Sequence, residues 1–275
     1  MRSRFQLAAA GLAAAALLLS ATGCERLRAR DNLNKGVQAF KAAKFPEAVE
    51  YFKVATDLDP EFPTARLYLA TAYMSQYIPG AESAENMAMA KSAHDEFAKV
   101  LEKDPKNAVA LASIASLFYH QKKFDDAETW YKKVIDADPN NKEAYYTLGV
   151  IAWGRTFPKR MEARAKLGMK PEDPGPVKDK KVREELAAAN LPIVDEGIKD
   201  LQKAIEIDKE YDDAMAYLNL LHRERADLQE SPDTYKKEIE LADTWVERTL
   251  ETKKIKNARL EQKAGHGITM EGGGQ

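Results

Sequence analysis

Four histidines, one cysteine and a few acidic pairs are the side chains of this chain whose types could do chemistry. Zinc held on a helix needs two histidines one turn apart with a glutamate between them. His94, His120, His222 and His266 stand far apart in sequence and offer no such pair. There is no Gly-x-Ser-x-Gly elbow to raise a nucleophilic serine and no Gly-Lys-Ser/Thr loop to cradle phosphate. Gly265-His266-Gly267 follows no strand pattern, so it carries no dinucleotide signal. The pairs Asp125/Asp126 and Asp212/Asp213 fall at helix starts, where carboxylates complement the helix dipole, and they read as capping residues. Trp130, Trp153 and Trp245 read as packing residues. The expectation is a protein with no catalytic residue, no metal and no cofactor.

The lone cysteine, Cys24, sits at the end of a different kind of signal. Arg2 and Arg4 form a positive start, and Leu7 to Leu19 is an unbroken run of Ala, Leu and Gly. That run is shorter than the ~20 residues a membrane-spanning helix needs and has the form of a secretory signal core. Ser20-Ala21-Thr22-Gly23-Cys24 follows and resembles the bacterial lipobox, in which the signal is cut before cysteine and the cysteine is lipidated. A single cysteine cannot close an internal disulfide, which agrees with lipidation at Cys24 and leaves no thiol nucleophile. The resemblance implies an exported protein, lipid-anchored to the cell envelope and facing the periplasm. Glu25, in place of the aspartate that often retains such lipoproteins at the inner membrane, favours the outer membrane.

The elements that position every other residue come from a repeat. Gly36-x11-Ala48-x3-Phe52-x2-Ala55-x4-Pro60 has the same spacing as Ala115-x11-Ala127-x3-Tyr131-x2-Val134-x4-Pro139. Ala93-x3-Phe97-x2-Val100-x4-Pro105 repeats its second half, and Pro105 to Pro139 spans 34 residues. Small residues at facing positions let two helix backbones approach, and an aromatic fills the gap to the next pair. The pairs Asp59-Pro60, Asp104-Pro105 and Asp138-Pro139 stop the second helix of the first three units, because proline lacks an amide hydrogen and clashes with the preceding turn. Over residues 29–153 the pattern resembles the tetratricopeptide-repeat family closely. The resemblance implies an all-α, right-handed superhelical solenoid of antiparallel helix pairs. Five units are expected, with an insertion inside the fourth. The expected divisions are a signal peptide over 1–23, the lipidated cysteine and short linker over 24–28, and repeats over 29–153. An insertion over 154–190 follows, then the remaining repeats and a capping helix over 191–253, and a disordered tail over 254–275. Within the insertion, Pro158, Pro171, Pro174 and Pro176 break the helical pattern and predict a loop at least around Lys170–Val177, flanked by short helices over Met161–Leu167 and Lys178–Ala189.

A net charge of −2 offers no basic face for nucleic acid. The family resemblance instead implies a protein or peptide partner held on the concave face, lined by the first helix of each unit. Carrying the family's groove positions onto this chain gives Phe40, Lys41, Met74, Tyr119, His120, Tyr146, Trp153 and Arg223. The leading expectation is therefore a membrane-anchored interaction scaffold or assembly factor of the bacterial envelope. Two alternatives stay open: a small-ligand or cell-wall-binding lipoprotein whose pocket the 154–190 insertion closes, and an accessory enzyme.

Overall fold

The computed structural model describes residues 23–270, with side chains described as far as 262. Residues 1–22 of the expected signal peptide 1–23, the end 271–275 and the side chain of His266 lie outside the described residues. Every regular element described is a helix: α1 (23–41), α2 (Phe45–Leu58), α3 (Pro63–Met74), α4 (Ala84–Lys103), α5 (Ala108–His120), α6 (Phe124–Ala137), α7 (Lys142–Lys166), α8 (Lys180–Ile207), α9 (Asp212–Asp227) and α10 (Pro232–Met270). None of these described helices is long and apolar enough to cross a membrane. The chain divides into two compact units, residues 1–130 and 131–275, with the division inside α6.

Local chemistry sets where these helices begin and end. Asn107, Asn141 and Asp179 each place a side-chain oxygen on a free amide of the following first turn, that of Ala110, Ala144 and Val182, at 2.9–3.1 Å. Proline occupies the first turn of α2 and α3, where its missing amide hydrogen costs nothing. The stops fall where the Asp-Pro pairs place them, α2 ending before Asp59-Pro60, α4 before Asp104-Pro105 and α6 before Asp138-Pro139.

In the first unit, α3 runs antiparallel to α4. Arg66 near its start reaches Glu96 late in α4 at 2.7 Å, and the loop after it is tied to the start of α4. That tie is Asn86, whose amide accepts from Ile78 N (2.7 Å) and donates to Ile78 O (2.9 Å) and Ala81 O (2.7 Å). The core is built from the repeat's small and aromatic positions. Ala48, Phe52, Ala55, Ala93 and Phe97 have no exposed surface, and the Phe52 ring stacks on Tyr68 of the next pair at 5.4 Å. A β-carbon on Gly36 would lie 2.4 Å from the Phe52 ring, so only glycine lets α1 and α2 meet there.

The second unit uses the same device: a β-carbon on Gly149 of α7 would lie 2.4 Å from Leu201 of α8. Ion pairs give the directions. Lys142 at the start of α7 meets Asp208 just past the end of α8 (2.7 Å), so these two are antiparallel. Arg223 late in α9 meets Asp243 early in α10 (2.6 Å), while Asp212 at the start of α9 meets Lys256, which makes this pair antiparallel as well. α7 and α9 run parallel, because Tyr146 meets Tyr211 and Tyr217 at one end and Arg160 meets Asp227 at the other.

Three boundaries read from the sequence need correction. Residues 24–28 belong to α1 rather than to a linker. The 154–190 insertion is largely the lengthening of α7 and α8, with only residues 167–179 outside helix. Pro158 and Pro192 lie within α7 and α8 at exposed positions, and neither breaks its helix. The tail expected from residue 254 is helical as far as Met270. Lys256 and Arg259 hold it down, pairing with Asp212 and with Glu210 (2.6 Å) at the start of α9.

Candidate partner-binding face

The sequence-selected residues Phe40, Lys41, Met74, Tyr119 and His120 lie in the first unit, on the first helices α1, α3 and α5. The Phe40 ring is half-buried and meets Phe45 edge-on at 5.2 Å, and Lys41 is exposed beside it. Met74 is half-buried against the α3–α5 core. Tyr119 is half-buried between His120 (5.3 Å) and Phe124 (6.3 Å), and His120 is exposed.

In the second unit the structure brings Tyr146 and Trp153 of α7 together around a residue the sequence did not single out. Tyr217 of α9 stands edge-on to both, at 5.6 Å from Tyr146 and 5.8 Å from Trp153. Tyr211 extends the row at 5.2 Å from Tyr146, and Phe157 stacks on Trp153 at 4.7 Å. All five rings are half-buried, and Tyr146, Trp153, Tyr211 and Tyr217 pack against the α7–α9 core. Helical spacing explains the row: Tyr146, Trp153 and Phe157 fall on one stripe of α7, facing the stripe of α9 that carries Tyr217. Arg223, the remaining selected residue, does not join them. Its guanidinium donates to Asn219 on α9 and to Asp243 on α10.

The row has electrical polarity. At its start, burial pushes the Tyr211 hydroxyl up to about 12, helped by the carboxylates of Glu143, Asp213, Asp208 and Asp212. The ring therefore stays neutral and its face electron-rich. Lys142 places its ammonium 5.1 Å from the Tyr211 ring centre. At the other end the Arg160 guanidinium lies 5.5 Å from the Phe157 ring centre.

Behind that second end is a buried ionic cluster that fixes the length of α7. Arg164, 1% exposed, donates to Asp227 (3.0 Å) and to the carbonyls of Lys170 (3.0 Å), Asp173 (2.6 Å) and Gly175 (3.3 Å). Val177 N donates to Asp227 O at 3.0 Å, which pins the far side of the same turn to the end of α9. Arg160 meets Asp227, and lies 2.8 Å from Glu224 at an angle outside hydrogen-bond geometry. Burial outweighs that attraction and raises the Glu224 carboxyl to about 7.

A pH effect follows from this. An acid whose folded pKa exceeds its unfolded value, here about 7 against 4.5, stabilises the fold below the unfolded value and loses that contribution as pH rises through the folded one. His222, pushed down by burial, with Arg225 also acting against its charge, contributes in the opposite sense as its neutral form is lost at lower pH. The readout is thus a difference: Glu224→Gln should gain melting temperature relative to wild type as pH is raised from 4.5 to 8. Parallel melting curves for the two proteins across that range would contradict it.

Among the described residues no three histidine, cysteine or acidic side chains converge as a metal site requires. Open depressions exist, the one at the insertion being about 360 Å³ and lined by Arg183, Ala187, Leu191, Leu228 and Thr234 among others.

Residues 33–77 and 89–150 match two family models, each described as tetratricopeptide repeat. The chain is 25% identical over 201 residues to the mitochondrial import receptor subunit TOM70 of Rattus norvegicus, across 73% of this chain and 27% of that protein. It is 32% identical over 117 residues to sperm-associated antigen 1 of the same organism, across 42% of this chain and 12% of that one. The match thus spans about a quarter or less of the length of these relatives. In three dimensions the chain is similar to the crystal structure of MamA protein, with a TM-score of 0.56 and 15% identity over 84% of this chain and 94% of that one. That likeness is one of fold.

Proposed function

We propose that this chain, a tetratricopeptide-repeat protein, is a non-enzymatic interaction scaffold of the bacterial cell envelope, anchored by lipid on Cys24 and holding a protein segment on the α7/α9 aromatic face. Repeats of this type bind protein or peptide partners and serve in assembly, and the relative named an import receptor subunit fits that class. The single observation that carries the reading is the row of half-buried rings from Tyr211 to Phe157 on adjacent parallel helices. Aromatic side chains with polar tips supply large contact area at small entropic cost, which is why they dominate binding hot spots. Capture from crosslinked envelopes tests the reading. A stoichiometric protein, enriched by wild type and lost with Trp153→Ala, is the expected result.

A small-ligand or cell-wall binder remains the second reading, favoured by the depression beside the insertion. Recovery of only glycan or metabolite would support it against the scaffold.

Lipidation rests on the signal pattern and on Cys24 being exposed and the sole cysteine. One acyl chain binds membranes marginally and stable anchoring takes more than one. Cys24→Ser should therefore move the protein from the membrane to the soluble fraction. An intact mass equal to the bare mature chain would exclude the anchor. Because Cys24 lies on α1, a lipid there would hold the first helix against the bilayer surface.

A further inference from the structure

The start of the aromatic row already holds a cation of the chain's own, which shows what chemistry it accepts. The Lys142 ammonium stands over the Tyr211 ring at 5.1 Å, 2.7 Å from Asp208 and 3.8 Å from Glu143. Asp212 is matched by Lys253 and Lys256. Asp213 is exposed and makes no ion pair among the described residues, and Glu143 is exposed with Lys142 alone beside it. Lys256 also acts on Asp208 and Asp213, so the four carboxylates of Glu143, Asp208, Asp212 and Asp213 face the three ammoniums of Lys142, Lys253 and Lys256, and one negative charge is left over beside Tyr211. At the far end of the row the chain's own Arg160 guanidinium stands over Phe157.

We propose that this face selects an extended partner segment carrying an arginine or lysine, whose cation sits between the tyrosine rings and the carboxylates of Glu143 and Asp213. The inference rests on the partner-binding reading above and names the partner's chemistry. The segment's apolar side chains lie along Trp153 and Phe157, where a second cation would meet Arg160. From Tyr146 to Phe157 the α7 stripe runs roughly 16 Å, at 1.5 Å per residue, which about five residues of extended chain match. A free quaternary ammonium such as choline would fill only one end of it. The partner is therefore a protein segment and not a small cation. An electron-rich ring face with nearby carboxylates attracts a cation through both its quadrupole and direct charge.

Three fluorescent decapeptides test this on the full chain. They share one apolar half containing leucine and tryptophan, and carry two arginines, two glutamines or two glutamates in the other half. Anisotropy titrations should show the arginine peptide bound about tenfold or more tighter than the glutamine peptide, with the glutamate peptide weakest. Glu143→Lys combined with Asp213→Lys should bring the arginine peptide to the level of the glutamine one. Glu196→Lys, at an exposed site on α8, should leave it unchanged, and melting curves check that each variant is folded. Millimolar choline should not displace the peptide; displacement would overturn the choice of a peptide cation. If all three peptides bind equally and Tyr217→Ala weakens all of them, the cation claim falls while the partner-binding face stands. If no peptide binds, both fall.

Discussion

Arg164→Ala is expected to lower the stability of the second unit by about 3–5 kcal/mol, the usual cost of removing one partner from a buried ion pair. Its guanidinium has almost no exposed surface and spends its donors on one carboxylate and three carbonyls of the 170–175 turn. Truncation leaves those carbonyls without a partner and Asp227 facing Arg160 alone. Met169 and Val177, both buried, are the plugs that this turn presses into the unit, so they loosen with it. Arg164→Lys should rescue little, because a single ammonium lacks the planar fork that reaches several acceptors at once. Urea denaturation gives the magnitude, and limited trypsin digestion gives the location. Cleavage at Lys178 and Lys180, both exposed, should become at least several-fold faster than in wild type. A loss under about 1 kcal/mol with unchanged cleavage would mean the turn is held by something other than this cluster.

Ala204→Glu should be comparably damaging for a different reason. Ala204 has no exposed surface and packs among Leu201, Ile205, Met215 and Leu218 where α8 meets α9. A longer side chain forces the helices apart at a typical cost of about 1–3 kcal/mol, and a carboxylate stranded there adds its own desolvation cost. The total should exceed about 3 kcal/mol. Gln202→Glu, two residues away and exposed, carries the same new charge and should change stability by less than about 0.5 kcal/mol. Chemical denaturation of the two variants side by side decides it, and equal losses would mean that the helix register across α8 is wrong.

The packing positions were legible in the sequence because they obey a local rule. Gly36 with Phe52, and Gly149 with Leu201, sit at matching places of their repeats, and the structure shows that no β-carbon fits between each pair. The Asp-Pro stops were legible for the same reason, since proline acts on its own turn. What depends on distant partners was not. Pro158 reads as a helix breaker until its exposure within α7 is known. The lysine-rich stretch after residue 253 reads as a disordered tail, because the acids that hold Lys256 and Arg259 lie more than 40 residues earlier. Tyr211 and Tyr217 escaped the groove positions of the repeat, yet they complete the face with Tyr146 and Trp153. Their only sequence signal is a tyrosine pair at the start of a first helix. Arg223 satisfied the positional rule, but Asp243 of α10 engages it, and nothing in the repeat itself announces that neighbour.

Site-specific photo-crosslinking in the native host tests most directly whether the α7/α9 face meets a partner. A benzophenone side chain placed at Asp213, Tyr217 or Leu220 of α9 should yield a discrete higher-mass adduct containing one partner protein. The same group at Gln202 or Glu206, exposed on α8, should yield none. Adducts of equal strength from both helices, or from α8 alone, would contradict the account.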